Sequence, residues 1–134
     1  MTEENATLYR GLREVYIDRT TSSYIDGKLG KLYYRGFSID DLAENCSFEE
    51  IIYLVMIGEL PTTGELSKFV SDLKSSMELP EPIIDIIRII KDAHPMDVLR
   101  TSISALATFD PEVDDNSTEA TLRKGTRLTA QAPT

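Results

Sequence analysis

The sequence predicts a mainly α fold: a bundle of five or six antiparallel-paired helices with a small β-hairpin at its N-terminal end. Three observations lead there. A side-chain oxygen is followed three residues later by a carboxylate at Ser38/Asp41, Ser47/Glu50, Thr62/Glu65 and Asn116/Glu119. In that pattern the two side chains satisfy free amides of a first helical turn reciprocally. Prolines stand at 82 and 95, where a first turn tolerates the missing N–H. Finally, β-branched and aromatic residues concentrate in "LREVYIDRTTSSYIDGKLGKLYYRG", ahead of all these helix starts.

Taken in order, residues 1–10 are expected to be flexible and 11–36 to hold short strands near 13–18, 22–26 and 31–35. Within "IDGKLGK" the Asp26-Gly27 pair and Gly30 supply positions where a tight reversal needs positive φ. Strands this short cannot make a core of their own, so they form a hairpin resting on a helical body spanning 38–134. Helices are expected at 39–44, 48–57, 63–77, 82–91, 95–108 and 117–131. Asn45, Gly58 and the Leu-Pro pairs at 60–61 and 79–80 end or separate them. At 134 residues the chain fits one domain, able to bury roughly 68% of its unfolded surface.

Two of these helices carry unusual apolar surface. In "IIDIIRII" six isoleucines between 83 and 90 sweep over half the circumference and leave only Asp85 and Arg88 for water, and "FEEIIYLVMIG" is apolar nearly all round. Such helices belong in the centre of a large bundle or under a partner. If half the isoleucines of 83–90 lacked cover, about 5–9 kcal/mol of burial would be forgone, comparable with the stability of a small domain.

Fourteen basic and 23 acidic side chains give a net charge of −9. That field argues against nucleic acid, acidic lipid or a polyphosphate as partner. Cys46 is the single cysteine, which excludes an internal disulfide and Cys/His metal spacing and suits a reducing, cytoplasmic setting. The longest apolar run, Ile51 to Ile57, is far too short to span a bilayer, and the N-terminus has no signal or transit pattern. No GxGxxG or GxxxxGK[ST] motif is present.

Four features could carry chemistry. His94, the sole histidine, stands before Pro95, which favours extended backbone at a helix boundary. With no acid, base or ligand at motif distance, its expected role is to bond backbone between two helices. Arg35, beside Gly36 and a capped helix, is expected to make a structural pairing. The acids Asp110, Glu112, Asp114 and Asp115 lack the central Gly and distant Glu of a calcium loop and read as a solvated inter-helix connection. Cys46, without a companion base, reads as a passive small residue.

Tyr34-Arg35-Gly36 leading into Ile39 and Leu42, Gly58-Glu59-Leu60-Pro61, His94-Pro95-Met96, and Arg127-Leu128 before Pro133-Thr134 together resemble the N-terminal part of the large helical domain of the citrate synthase family, which includes 2-methylcitrate synthases. The similarity runs from about Gly11 to Thr134 and is greatest to the short bacterial and archaeal forms. It implies an acyltransferase that joins the methyl carbon of acetyl-CoA, or the corresponding carbon of propionyl-CoA, to the ketone of oxaloacetate and releases CoA. Such enzymes use an Asp as base, one His to steady the enol, another to polarise the ketone, and arginines on the carboxylates.

At least two histidines are required, and this chain has one. The resemblance therefore implies that no catalytic, substrate-binding or metal residue lies here, with His94 and Arg35 as structural motif positions. It implies a scaffold and dimerisation part that needs no cofactor of its own. Partners would be a further copy or a complementary C-terminal part; acetyl-CoA and oxaloacetate would bind only the complete enzyme. Larger NADH-inhibited members carry an Arg-His-Thr cluster where this chain reads "SSME" at Ser75–Glu78, so NADH control through that segment is not expected. The alternative is a non-catalytic helical interaction module derived from the same fold.

Overall fold

The computed structural model describes Gly11, Val15, Tyr16 and residues 18–134. Strands β1 (Ser23–Asp26), β2 (Lys31–Tyr34) and β3 (Phe37–Ser38) precede helices α1 (Ile39–Asn45), α2 (Phe48–Ile57), α3 (Thr63–Ser75), α4 (Glu81–Ile90), α5 (Pro95–Leu106) and α6 (Thr118–Gln131). A 3₁₀ turn over Ala107–Phe109 extends α5. The mainly α expectation with six helices holds.

The sheet is an antiparallel meander in the order β1-β2-β3, pairing Ser23 with Tyr34 and Asp26 with Lys31, then Tyr34 with Phe37. At the first reversal, Asp26 Oδ1 accepts from the amides of Lys28 and Leu29, both at 3.0 Å, and Gly30 takes φ +64°. The second reversal has only Arg35 (φ +49°) and Gly36 (φ +92°) between paired residues. Positive φ at both central residues is what a primed hairpin turn requires, and its twist matches that of the strands.

This β3 was not expected from sequence. Of the strand expected at 13–18, the described residues Val15, Tyr16 and Asp18 are not in a strand, and positions 13, 14 and 17 lie outside the described residues. The flexible segment expected over 1–10 lies outside them as well.

Helix starts follow local chemistry. Ser47/Glu50 and Thr62/Glu65 form full capping boxes, and the bonds from Ser47 hold the Glu50 carboxyl below its ordinary range, as those from Thr62 do for Glu65. The other two expected boxes do not close. Ser38 Oγ accepts from the Asp40 amide instead, and α6 is capped by Ser117, which accepts from the Ala120 amide, rather than by Asn116. Asp115 Oδ1 takes the Ser117 amide at 2.9 Å, so the role given to Glu119 is filled from the preceding loop.

Three α-helices end earlier than expected, α3 at Ser75 instead of 77, α4 at Ile90 instead of 91 and α5 at Leu106 instead of 108, with the 3₁₀ turn carrying on to Phe109. The hydroxyls of Ser75 and Ser76 both donate to the Asp72 carbonyl, closing α3 before residue 77. Asp110 is extended (φ −85°, ψ 116°), as a residue before proline prefers, so the 3₁₀ turn stops there.

Side by side, α2 packs on α3 and α3 on α6, with Phe69, Leu73 and Ala130 buried between them and Ile52, Tyr53 and Met56 half-buried against these. The Tyr53 and Phe69 rings meet edge-on with centroids 5.4 Å apart. Helix α1 lies against β2 and β3, and α4 pairs with α5 as a separate hairpin. Among the α4 isoleucines only Ile83 is buried; Ile89 is 81% exposed and the other four are half-buried.

Candidate functional site

Arg35 ties the sheet to the end of α2. Its Nε and Nη2 donate to the Val55 carbonyl at 3.3 and 2.9 Å, and its Nη1 donates to Thr21 Oγ1 at 2.8 Å. Val55 lies in the last turn of α2, where carbonyls have no helical partner. Gly58 ends that helix with φ +112°, and a side chain there would reach the guanidinium carbon at 3.9 Å. A shallow recess of about 410 Å³ nearby is lined by Thr20, Thr21, Ser23, Tyr24, Asp26 and Tyr33, but the Arg35 fork that borders it is already bonded within the chain.

His94 is exposed and caps α5: its Nδ1 accepts from the Met96 amide at 3.2 Å. The sequence-selected pair is thus bound to different elements, Arg35 to α2 and Thr21, His94 to α5. Among the described residues no three His, Cys, Asp or Glu side chains are grouped to hold a metal ion. Cys46 follows α1, its amide donating to the Leu42 carbonyl at 3.0 Å.

The acidic connection is not simply solvated, which corrects the sequence reading. Arg127 grips Asp110 through Nη2 at 2.8 and 2.9 Å and reaches Glu112 through Nη1 at 2.9 Å. Arg123 Nε donates to Glu112 at 2.9 Å, and Lys124 Nζ donates to the Asp115 carbonyl. Bonds from Arg123 and then Arg127 hold the Glu112 carboxyl low. Burial pushes Asp110 up, but the bonds from Arg127 and the Glu112 amide outweigh it and leave it below the ordinary carboxylate range. Among the described residues Asp114 has no such bond. The signal that could have revealed this cluster is Arg123 and Arg127, one helical turn apart just after an acidic run.

Beside α5 runs an apolar trough. Its wider end, about 350 Å³, lies between α4 and the end of α6 and is walled by Ile83, Ile87, Val98 and Thr134. Its narrower end, about 170 Å³, is walled by Phe109, Val113 and Leu128. Ile103, Leu106 and Gln131 line both, so the two recesses adjoin. Lys91 and Ser102 border the wide end and Asp110, Lys124 and Arg127 the narrow end, with Asp110 held by Arg127; most of the remaining lining is hydrocarbon.

The family model described as "Citrate synthase, C-terminal domain" matches residues 11–134. The chain is 42% identical over 125 residues to 2-methylcitrate synthase 1 of Corynebacterium glutamicum, covering 92% of this chain and 33% of that protein. It is 38% identical over 131 residues to the citrate synthase of Haloferax volcanii, covering 94% and 35% respectively. Among solved structures, citrate synthase from Pyrobaculum aerophilum matches with a TM-score of 0.85 and 32% identity over 90% of this chain and 33% of that one. The enzyme from Thermoplasma acidophilum, solved with carboxymethyl coenzyme A and oxaloacetate, matches with a TM-score of 0.87 and 26% identity over 93% and 33%. The chain spans about a third of the length of the relatives it matches.

Proposed function

Because the chain belongs to the citrate synthase family, we propose that it is the amino-terminal part of an enzyme condensing acetyl-CoA or propionyl-CoA with oxaloacetate, and that it contributes scaffold and subunit-contact surface rather than catalytic groups. The order of its motifs, from Tyr34-Arg35-Gly36 through His94-Pro95-Met96 to Arg127-Leu128, supports the amino-terminal placement. The observation that carries the non-catalytic reading is the state of its single imidazole. His94 stands exposed at a helix cap with Nδ1 accepting from the Met96 amide, and among the described residues no carboxylate bonds it. A condensation through an enol needs a base at the methyl carbon and separate donors for enol and ketone. One capping imidazole cannot fill those positions together.

Within such an enzyme the chain's own residues would act by positioning. Arg35 fixes the meander to α2, and Arg127 fixes the loop after α5 to α6, so that helices supplied by the rest of the protein meet a rigid surface. The test is CoA release from acetyl-CoA or propionyl-CoA plus oxaloacetate. The chain by itself should give none, and mixing it with a separately expressed C-terminal part of a relative should restore turnover. Turnover by the chain alone would overturn the reading.

The apolar trough also favours a second reading, a non-catalytic interaction module of the same fold. Complex formation without turnover, for every C-terminal part tried and either acyl-CoA, would favour it.

A further inference from the structure

We propose that the Asp26-Gly27 peptide in the β1–β2 reversal is the principal self-modification site of residues 18–134, where the Gly27 amide nitrogen closes on the Asp26 side chain and converts that residue to isoaspartate. Water is the only co-reactant. The feature is local to the reversal and holds whatever reaction the chain serves.

Ring closure needs a side-chain carbonyl carbon within reach of the next residue's amide nitrogen, and that nitrogen has to be unencumbered. Asp26 Oδ1 accepts from the amides of Lys28 and Leu29, both at 3.0 Å. A carboxyl bonded two and three residues ahead is folded forward over the peptide between, as in an Asx turn. Gly27 is exposed. Its amide lies beyond the last ladder pair and donates no hydrogen bond among the described residues. The first carbon of a side chain at Gly27 would meet nothing within 4 Å, so the approach to its nitrogen is open.

Other positions differ in this respect. Asn45 and Asn116, the asparagines among the described residues, are each followed by an engaged amide: Cys46 donates to the Leu42 carbonyl at 3.0 Å and Ser117 to Asp115 Oδ1 at 2.9 Å. Asp92 precedes Ala93, whose amide donates to the Ile90 carbonyl at 2.9 Å, and Asp110 precedes Pro111, which has no N–H. An engaged amide has to give up its bond before it can attack. Asp26 alone among the aspartates and asparagines of the chain is followed by glycine, whose missing Cβ leaves the backbone free to take up the ring-closing geometry.

The atoms balance. Gly27 N bonds to Asp26 Cγ and loses its proton, one side-chain oxygen leaves as water, and a succinimide ring results. Water then opens the ring. Addition at the side-chain carbonyl restores Asp26; addition at the main-chain carbonyl routes the backbone through Cβ and Cγ and leaves the former main-chain carboxyl as the side group. Nothing is oxidised or reduced. The isoaspartate product carries an extra main-chain carbon at the residue paired with Lys31, between the ladder and the turn.

The experiment incubates the 134-residue chain at neutral pH in water enriched in heavy oxygen, with and without urea. Peptide mapping with electron-transfer fragmentation then locates isoaspartate and label. In the folded chain both should accumulate at Asp26 before any other Asp or Asn of residues 18–134. Gly27→Ala should slow this several-fold; Gly27 is not among the positive-φ glycines and has open space around it, so alanine fits the same turn, and circular dichroism confirms the fold. Asp26→Asn keeps an Oδ1 acceptor for the turn but expels ammonia in place of water, and should convert several-fold faster. Four results would each overturn the proposal: no label at Asp26, earlier conversion at Asn45 or Asn116, Gly27→Ala reacting at the wild-type rate, or conversion of Asp26 only in urea, which would mean that the folded reversal protects the bond.

Discussion

Helices α3 and α4 make an instructive pair. α3 is the more polar of the two, yet it buries Phe69 and Leu73 at 8% exposure, because α2 covers one side of it and α6 the other. α4 carries six isoleucines in ten residues, yet buries only Ile83 and leaves Ile89 81% exposed, because among the described elements α5 is its one substantial partner. Hydrophobic stabilisation scales with area removed from water, not with apolar composition. The α2–α3–α6 layer therefore holds the described part of the chain together, and the α4–α5 hairpin carries surface still available for docking.

The sharpest way to break that contrast is Phe69→Ala. It removes a ring packed edge-on to Tyr53 and should lower unfolding free energy by about 3–4 kcal/mol, read from urea transitions at pH 7. A loss below 1 kcal/mol would mean that the layer is not the stability centre.

Next in size is Arg127→Met, which strips Asp110 of a two-oxygen clamp while its side chain is only 16% exposed. The expected cost is about 2 kcal/mol at pH 7. Asp110 and Glu112 both titrate below their ordinary range in the folded chain. Their contribution is therefore complete above the unfolded carboxylate values near pH 4 and is lost as pH falls through the lower folded values. Wild type should weaken between pH 5 and pH 2, to the extent that Glu50, Glu65 and Asp115 are also held low. Arg127→Met should weaken less over the same range, because its clamp is already gone. Equal acid slopes would remove the ion cluster from the account.

What sequence could and could not reveal divides along the same physical line. Helix starts were readable where the controlling contact is local, as at Ser47/Glu50, Thr62/Glu65, Pro82 and Pro95. Ambiguity entered where neighbouring residues compete for one role: Asn116 and Ser117 can both cap, and the choice falls to Ser117 because Asp115 takes its amide. β3 escaped because a two-residue strand has almost no pattern, although Arg35-Gly36 between Tyr34 and Phe37 is a hairpin signature. The Arg127–Asp110 clamp joins positions 17 apart, and only the folding back of α6 onto the loop brings them together. The apolar surplus of α4 was legible; which isoleucines would find cover was not, since that depends on tertiary neighbours.

Capping separates local from tertiary effects at a smaller scale. Ser47→Ala opens the box at α2 and should cost about 1 kcal/mol. His94→Ala, which removes a single accepted amide bond at 3.2 Å, should cost no more than that. If His94→Ala instead cost several kcal/mol, the α4–α5 junction would be a second stability centre, and the contrast between the regions would fail.

The smallest expected effect tests the contrast most directly. Ile89→Lys places a charge where a large apolar side chain is 81% exposed. An already solvated side chain loses almost no burial on replacement, so unfolding free energy should change by about 0.5 kcal/mol or less. The change also reduces the net negative charge, so it carries no added self-repulsion to offset the result. If the chain stands alone in solution, the transition midpoint stays put at every protein concentration. A loss above 1.5 kcal/mol that grows with concentration would mean that Ile89 is covered by another copy, and α4 would then be a partnered helix like α3, its partner lying outside the single chain.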